Sequence, residues 1–325
     1  MQISIISKFN TKQKGDEKMK KGNVFILLTA LLYSTQEIAN KMLVKEGLDS
    51  FQITFMIFLI GAILLTPLAI KDIKAKELKL SVNDFGYFAL NGALCIPISM
   101  ALLSFAGKYT LASTSAVIFS SNAVFTVPFA YIILKEKINR ATLISLLIGV
   151  LGVIIIFNPA KIAAGGGSAD LLGITLALGA AVSWSLFRVI SKIRIHQYGG
   201  YIFNCIVFYS GALMVLLILF VTGRPILKGI DGHAVLVLVY MGLFIKALGY
   251  ICYLGAIRLT SAVTASLVFL IKPALATILA VIILGDKMQT NVIIGIGFII
   301  ISSYIAFKSK RASEVAQVIN RTIVK

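Results

Sequence analysis

From Gly242 to Lys287 the chain reads GLFIKALGYICYLGAIRLTSAVTASLVFLIKPALATILAVIILGDK. Two apolar runs flank Arg258, and each carries one lysine near its middle, Lys246 and Lys272. A lysine at the centre of a membrane helix costs about 2.5–3.5 kcal/mol to insert, so it normally faces a protein interior or a watery cavity. The same stretch lies without a gap on Gly92–Lys137, 150 positions earlier, with Gly92/Gly242, Thr110/Thr260, Thr114/Thr264, Phe119/Phe269, Leu134/Leu284 and Lys137/Lys287 identical. Tyr33-Ser34 extends the register onto Trp184-Ser185 at an offset of 151, and Lys41 then meets Lys192.

Composition sets the class. Of 325 residues 58% are hydrophobic and 14% charged, with a mean hydropathy of +0.95. A soluble chain of this length needs a far more polar surface. Recurrent apolar runs predict an all-α membrane protein of ten transmembrane helices. The spans fall at about 22–43, 51–70, 85–106, 112–134, 140–157, 171–192, 201–222, 234–256, 262–284 and 290–307. The domain plan is a basic N-terminal arm (1–21), a five-helix repeat (22–160), a Gly-rich connector (161–170), a second five-helix repeat (171–307) and a basic tail (308–325). Met19 opens a segment like a signal peptide, but its repeat mate later in the chain predicts a retained span and leaves Met19 as an alternative start. The tail places Val315, Val318, Ile319, Thr322 and Ile323 on one face, as a helix on the membrane surface or a frayed end would.

A net charge of +18 raises nucleic acid as a partner, but the basic residues lie between spans rather than on one polar domain. Alternate loops carry 21 Lys and Arg on one side and 7 on the other, which puts both termini in the cytoplasm of a plasma-membrane protein. Five spans per half is odd, so the halves cross in opposite senses. Such inverted repeats underlie alternating access, with substrate near the midplane between the halves.

The repeat frame exposes where the halves differ: Lys246 replaces Ile96, Lys272 replaces Asn122, and Arg188 replaces Glu37. Lys246 and Lys272 either hold an anionic group as point charges, sit neutral through burial, or are structural lysines paired with helix C-terminal carbonyls or Glu37. Pro273 weakens the backbone ladder beside Lys272. Glu37, the carboxylate well inside a span, is open to carrying a proton, pairing with a lysine or receiving an ammonium. Glu37 and Arg188 are candidates for the outer and inner gates, with snorkelling the alternative for Arg188. Asn122, Asn91, Trp184 and Tyr250 lie at similar depth and complete the candidate substrate-binding set, beside Gln36, Ser120, Ser121 and Tyr253. Gly173, Ala177 and Ala181 read as a helix-packing strip.

Several chemistries are excluded. No phosphate-binding P-loop occurs, so ATP hydrolysis by this chain is not expected. His196 and His233 stand alone in loops, and Cys95, Cys205 and Cys252 fall inside spans, so no metal, cofactor or triad is expected. The expected partners are a small-molecule substrate and the lipid bilayer, with homodimerisation left open.

Ten helices in two five-span repeats resemble the EamA-like family of the drug/metabolite transporter superfamily. The residues that carry the likeness are Tyr33-Ser34 with Lys41, Trp184-Ser185 with Lys192, Pro128 before Leu134-x-Glu136, Gly149, Gly152, Pro273, Leu284-Gly285-Asp286 and Gly295. Tyr33 stands where a Trp is usual, Asp286 where a Glu is usual, and Lys272 before Pro273 is not a general family feature. The resemblance implies a secondary transporter, often an exporter, of amino acids or other small metabolites. Together with the buried lysines it favours a carboxylate- or phosphate-bearing cargo. Efflux of cationic drugs or amines through Glu37 is the rival within transport, and a lipid scramblase or scaffold is the rival outside it.

Overall fold

A computed structural model describes residues 20–78, 81–135, 140–157, 168–260, 265, 267–286 and 290–323. The arm before Lys20, Lys79, Glu136, Lys137, the connector at 161–167, Lys287 and the side chains from Lys310 onward lie outside the described residues. Among the described residues the architecture is all-helical. That accords with the apolar runs, because a backbone in hydrocarbon must satisfy its polar groups within its own segment.

The elements in order are α1 (20–34), α2 (Gln36–Lys45), α3 (Ser50–Lys76), α4 (Val82–Ala93, a wide turn Leu94–Met100, then Ala101–Tyr109), α5 (Ala112–Ser120), α6 (Asn122–Leu134), α7 (Arg140–Phe157), α8 (Ser168–Tyr198), α9 (Gly200–Val221), α10 (Gly232–Tyr240, a wide turn Met241–Leu248, then Gly249–Leu259), α11 (Leu267–Leu284) and α12 (Thr290–Ile323). Six described helices are long and apolar enough to cross a membrane, Ser50–Lys76 and Gly200–Val221 among them, and shorter apolar helices such as Ile271–Leu284 accompany them. Large apolar side chains face outward, including Ile63, Leu147, Leu151, Leu217, Ile282 and Tyr304. An exterior of this kind belongs in lipid, and the chain is a multi-pass membrane protein. The basic tail continues α12 rather than forming a separate surface helix.

Small residues bring the helices together. Gly211 on α9 sits so close to α4 that an added methyl would meet Ile96 at 2.5 Å and the Gly92 carbonyl at 2.8 Å. On α3, Gly61 faces the Cβ of Lys246 in the same way, at 2.7 Å. These two contacts are 150 positions apart at both ends. A second such couple ties α7 to α12: Ser145 and Ser302 exchange hydroxyl-to-carbonyl hydrogen bonds, while a methyl on Gly295 would meet the Gly152 carbonyl at 2.9 Å. Gly173 packs on Thr110, and Ala177 and Ala181 are fully buried, as a packing strip requires. The buried core runs through Phe58, Phe88, Ile96, Ile118, Ile202 and Phe203.

Candidate substrate site

Breaks in the helical ladder position the polar side chains. Between α1 and α2 the chain turns at Thr35, whose hydroxyl bonds to the Leu32 carbonyl and to the Tyr240 hydroxyl. Gln36 and Glu37 come directly after it. Between α5 and α6 the break falls at Ser121, which bonds back to Ile118, with Asn122 next in the chain. Lys246 lies inside the wide turn of α10, and Ile96 inside that of α4. Wide turns of this kind often mark functional sites.

Glu37 and Lys272 form a buried ion pair. Lys272 Nζ donates to Glu37 Oε1 at 2.7 Å, with side-chain exposures of 6% and 2%, so water does little to screen the attraction. The ammonium also stands 5.1 Å from the ring centroid of Phe119. Ser34 donates to the Lys272 carbonyl at 3.2 Å, which ties α1 to α11 beside Pro273. Glu37 Oε2 is buried without a hydrogen-bond partner, unusual for a carboxylate oxygen in a protein interior.

Lys246 occupies a neighbouring place with different company. Its Nζ donates to Gln36 Oε1 at 2.8 Å and stands 4.4 Å from the Phe58 ring centroid, with Met100 Sδ at 4.0 Å. Gln36 and Glu37 both line a cleft with Asn40, Thr54, Met100 and Ser115. Each lysine therefore sits behind the lining, held on a side chain that borders the open space. The cleft volume is about 20 Å³, room for roughly one water molecule. At Gly107 it adjoins a wider recess of about 340 Å³ bordered by Lys41, Lys45 and Lys108.

Arg188 and Asn122 meet each other rather than the ion pair. Arg188 Nη1 reaches Asn122 Oδ1 at 3.5 Å, and the guanidinium lies 4.6 Å from the Phe269 ring centroid. Ser185 donates to the Asn122 carbonyl at 2.7 Å. Arg188 thus packs on an aromatic face of α11. Trp184, one turn earlier, packs against Phe119 at 5.8 Å, and its indole N–H is buried without an acceptor. Asn91 and Tyr250 make their hydrogen bonds to other partners. Asn91 bonds to the Tyr87 carbonyl, and the Tyr250 hydroxyl is engaged by Asn204 and Gly200 on α9.

Sequence reasoning missed the aromatic faces under the cations, Phe58 and Phe119, and the thioether of Met100. The identity of Phe119 and Phe269 in the repeat frame was a usable signal, since each lies beneath a cation. Among the described residues no three His, Cys, Asp or Glu side chains gather as a metal site, and the three cysteines are buried free thiols.

The profile of the EamA-like transporter family matches residues 20–158 and matches again at 171–308. The chain belongs to the EamA-like transporter family. This EamA-like chain is 61% identical over 305 residues to an "Uncharacterized transporter" of Clostridium kluyveri, covering 93% of this chain and 98% of that one. It is 25% identical over 274 residues to "Protein PagO" of Salmonella typhimurium, covering 83% and 87%. A solved crystal structure shares the fold with a TM-score of 0.60 at 18% identity, over 91% of this chain and 99% of that one. Family and relatives point to a membrane transporter rather than an enzyme.

Proposed function

We propose that this EamA-like protein is a secondary carrier of the plasma membrane. It moves a small metabolite bearing a carboxylate or phosphate, such as an amino acid, by alternating access and in the direction of export. The observation that carries this reading is the cleft beside Glu37 and Gln36, with two ammonium groups held behind it against one carboxylate. A compartment with that surplus favours an anionic or zwitterionic cargo over a lipophilic cation. Glu37 is already paired with Lys272, which weighs against direct capture of cationic drugs.

Two observations support a duplicated scaffold of ten spans. The family profile matches twice, and contacts such as Gly61 on Lys246 and Gly211 on Ile96 recur at an offset of 150. With five spans in each half (22–160 and 171–307), the halves are inverted relative to each other and the cargo stops between them. The excess of Lys and Arg in alternate loops puts both termini in the cytoplasm. No nucleic-acid partner is required, and a homodimer is compatible with this arrangement.

A thermal-shift screen of the purified protein against amino acids, organic acids and sugar phosphates tests the reading, with flux in proteoliposomes as the second step. Stabilisation by one anionic class, weakened in Lys272→Gln, is the expected result. Lipid flipping without saturable solute flux would point to a scramblase instead. Loss of amine efflux in Glu37→Gln, with anions inert, would point to the cation reading.

A further inference from the structure

We propose that Glu37 couples proton binding to cargo binding: an anionic group that takes Lys272 displaces the Glu37 carboxylate, which then binds a proton. The inference rests on the substrate reading above and adds the coupling ion to it: proton and anion load and leave together, so export runs down the cargo's own gradient and carries the proton out with it.

The geometry makes cargo and Glu37 competitors. Lys272 is the cation that compensates Glu37 directly, through Oε1, and the second carboxylate oxygen has no partner. A cargo carboxylate on Lys272 would leave two anions sharing that ammonium in a compartment nearly closed to water, while the second ammonium, Lys246, stays on the neutral Gln36 side chain. An ionised carboxylate without a close cation is strongly disfavoured there, and two carboxylates sharing a site do not both stay charged. Protonation relieves both problems, because the neutral carboxyl carries no charge and offers its O–H to the cargo.

Among the described residues Lys272 is the cation hydrogen-bonded to Glu37, and the other charged or titratable groups of the packed elements are engaged elsewhere, Asp286 by Ser113 and the Tyr240 hydroxyl by Thr35. From α11 there is Lys272; from α10 there is Lys246, held by Gln36. On its own helix Lys41 lies one turn on and donates to the Thr110 carbonyl. The cleft residues from α3, α4 and α5 (Thr54, Met100, Ser104 and Ser115 among them) are uncharged. The proton comes from solvent in the recess that adjoins the cleft at Gly107. It forms the Glu37 O–H bond and no other covalent bond changes. One negative charge and one proton enter together, so loading a monoanion leaves the charge of the compartment as it was.

Two measurements test this. In ligand-free protein, infrared difference spectra of Lys272→Gln should show the C=O stretch of a protonated carboxyl at neutral pH. That band should vanish in Lys272→Gln with Glu37→Gln, and be absent from Lys272→Arg, which keeps the cation. With acetate, succinate and L-glutamate as probes, weakly buffered wild-type protein should take up about one proton per anion bound. Binding should then weaken by up to about tenfold per pH unit as pH rises. Glu37→Gln should bind the same probe without proton uptake and without that pH dependence. Absence of the infrared band overturns the coupling, as does anion binding with no proton uptake, and in the latter case the substrate site stands. Failure of every probe to bind the wild-type protein removes the site reading and the coupling together.

Discussion

Glu37 with Lys272 and Arg188 with Asn122 form two crossings built to the same plan and filled differently. In each, a serine hydroxyl holds the carbonyl of the facing residue, Ser34 on Lys272 and Ser185 on Asn122. In each, a cation lies over a phenylalanine, Lys272 over Phe119 and Arg188 over Phe269. The offsets are 151 positions for Glu37 to Arg188 and 150 for Asn122 to Lys272. Yet one crossing closes as an ion pair at 2.7 Å, and the other holds a guanidinium against an amide oxygen at 3.5 Å. The backbone contacts survive the change in side chains, so the scaffold and the chemistry it carries are separable. In our reading the first crossing handles cargo, and the second supports the bundle.

The largest effect is expected where the first crossing is broken. Lys272→Gln leaves a buried carboxylate without its cation and should cost about 3 kcal/mol of stability, the low end for a broken buried pair because Glu37 can take a proton. Unfolding in detergent measures it, and adding Glu37→Gln should restore most of the loss. Next comes transplanting the pair. Arg188→Glu together with Asn122→Lys should show a favourable coupling of about 1–3 kcal/mol in a double-mutant cycle. A coupling near zero would mean that the two crossings do not share a plan. Smaller again, Phe119→Leu should destabilise by about 1–2 kcal/mol and Phe269→Leu by about 0.5–1 kcal/mol, since Lys272 is more completely desolvated than Arg188. The smallest effect belongs to Arg188→Gln, about 0.5 kcal/mol, because among the described residues it removes a long amide contact and one ring face.

Lys246, Lys272 and Glu37 were legible in the sequence because charge is anomalous inside an apolar run, and the anomaly needs no structure to be seen. Their partners were not. Glu37 and Lys272 lie 235 positions apart and Gln36 and Lys246 lie 210 apart, and only the packing of α2 against α10 and α11 decides which pairs meet. The breaks at Thr35 and Ser121 and the wide turn around Lys246 were equally hidden, because ordinary helix-forming residues surround them. Conversely Tyr250 shares a helix with Lys246, but its hydroxyl is committed to α9. Periodicity assigns a face on an ideal helix, and the wide turn of α10 rotates the residues beyond it, Tyr250 among them.

The most direct test is the affinity of one stabilising organic anion for wild-type protein, Lys272→Gln and Arg188→Gln, by titration of the purified carriers. A charge-assisted hydrogen bond to the cargo is worth about 1.5–3 kcal/mol, so Lys272→Gln should weaken binding by about tenfold to a hundredfold while Arg188→Gln leaves it nearly unchanged. Equal losses in both variants, or loss in Arg188→Gln alone, would contradict the assignment of cargo to the Glu37–Lys272 crossing.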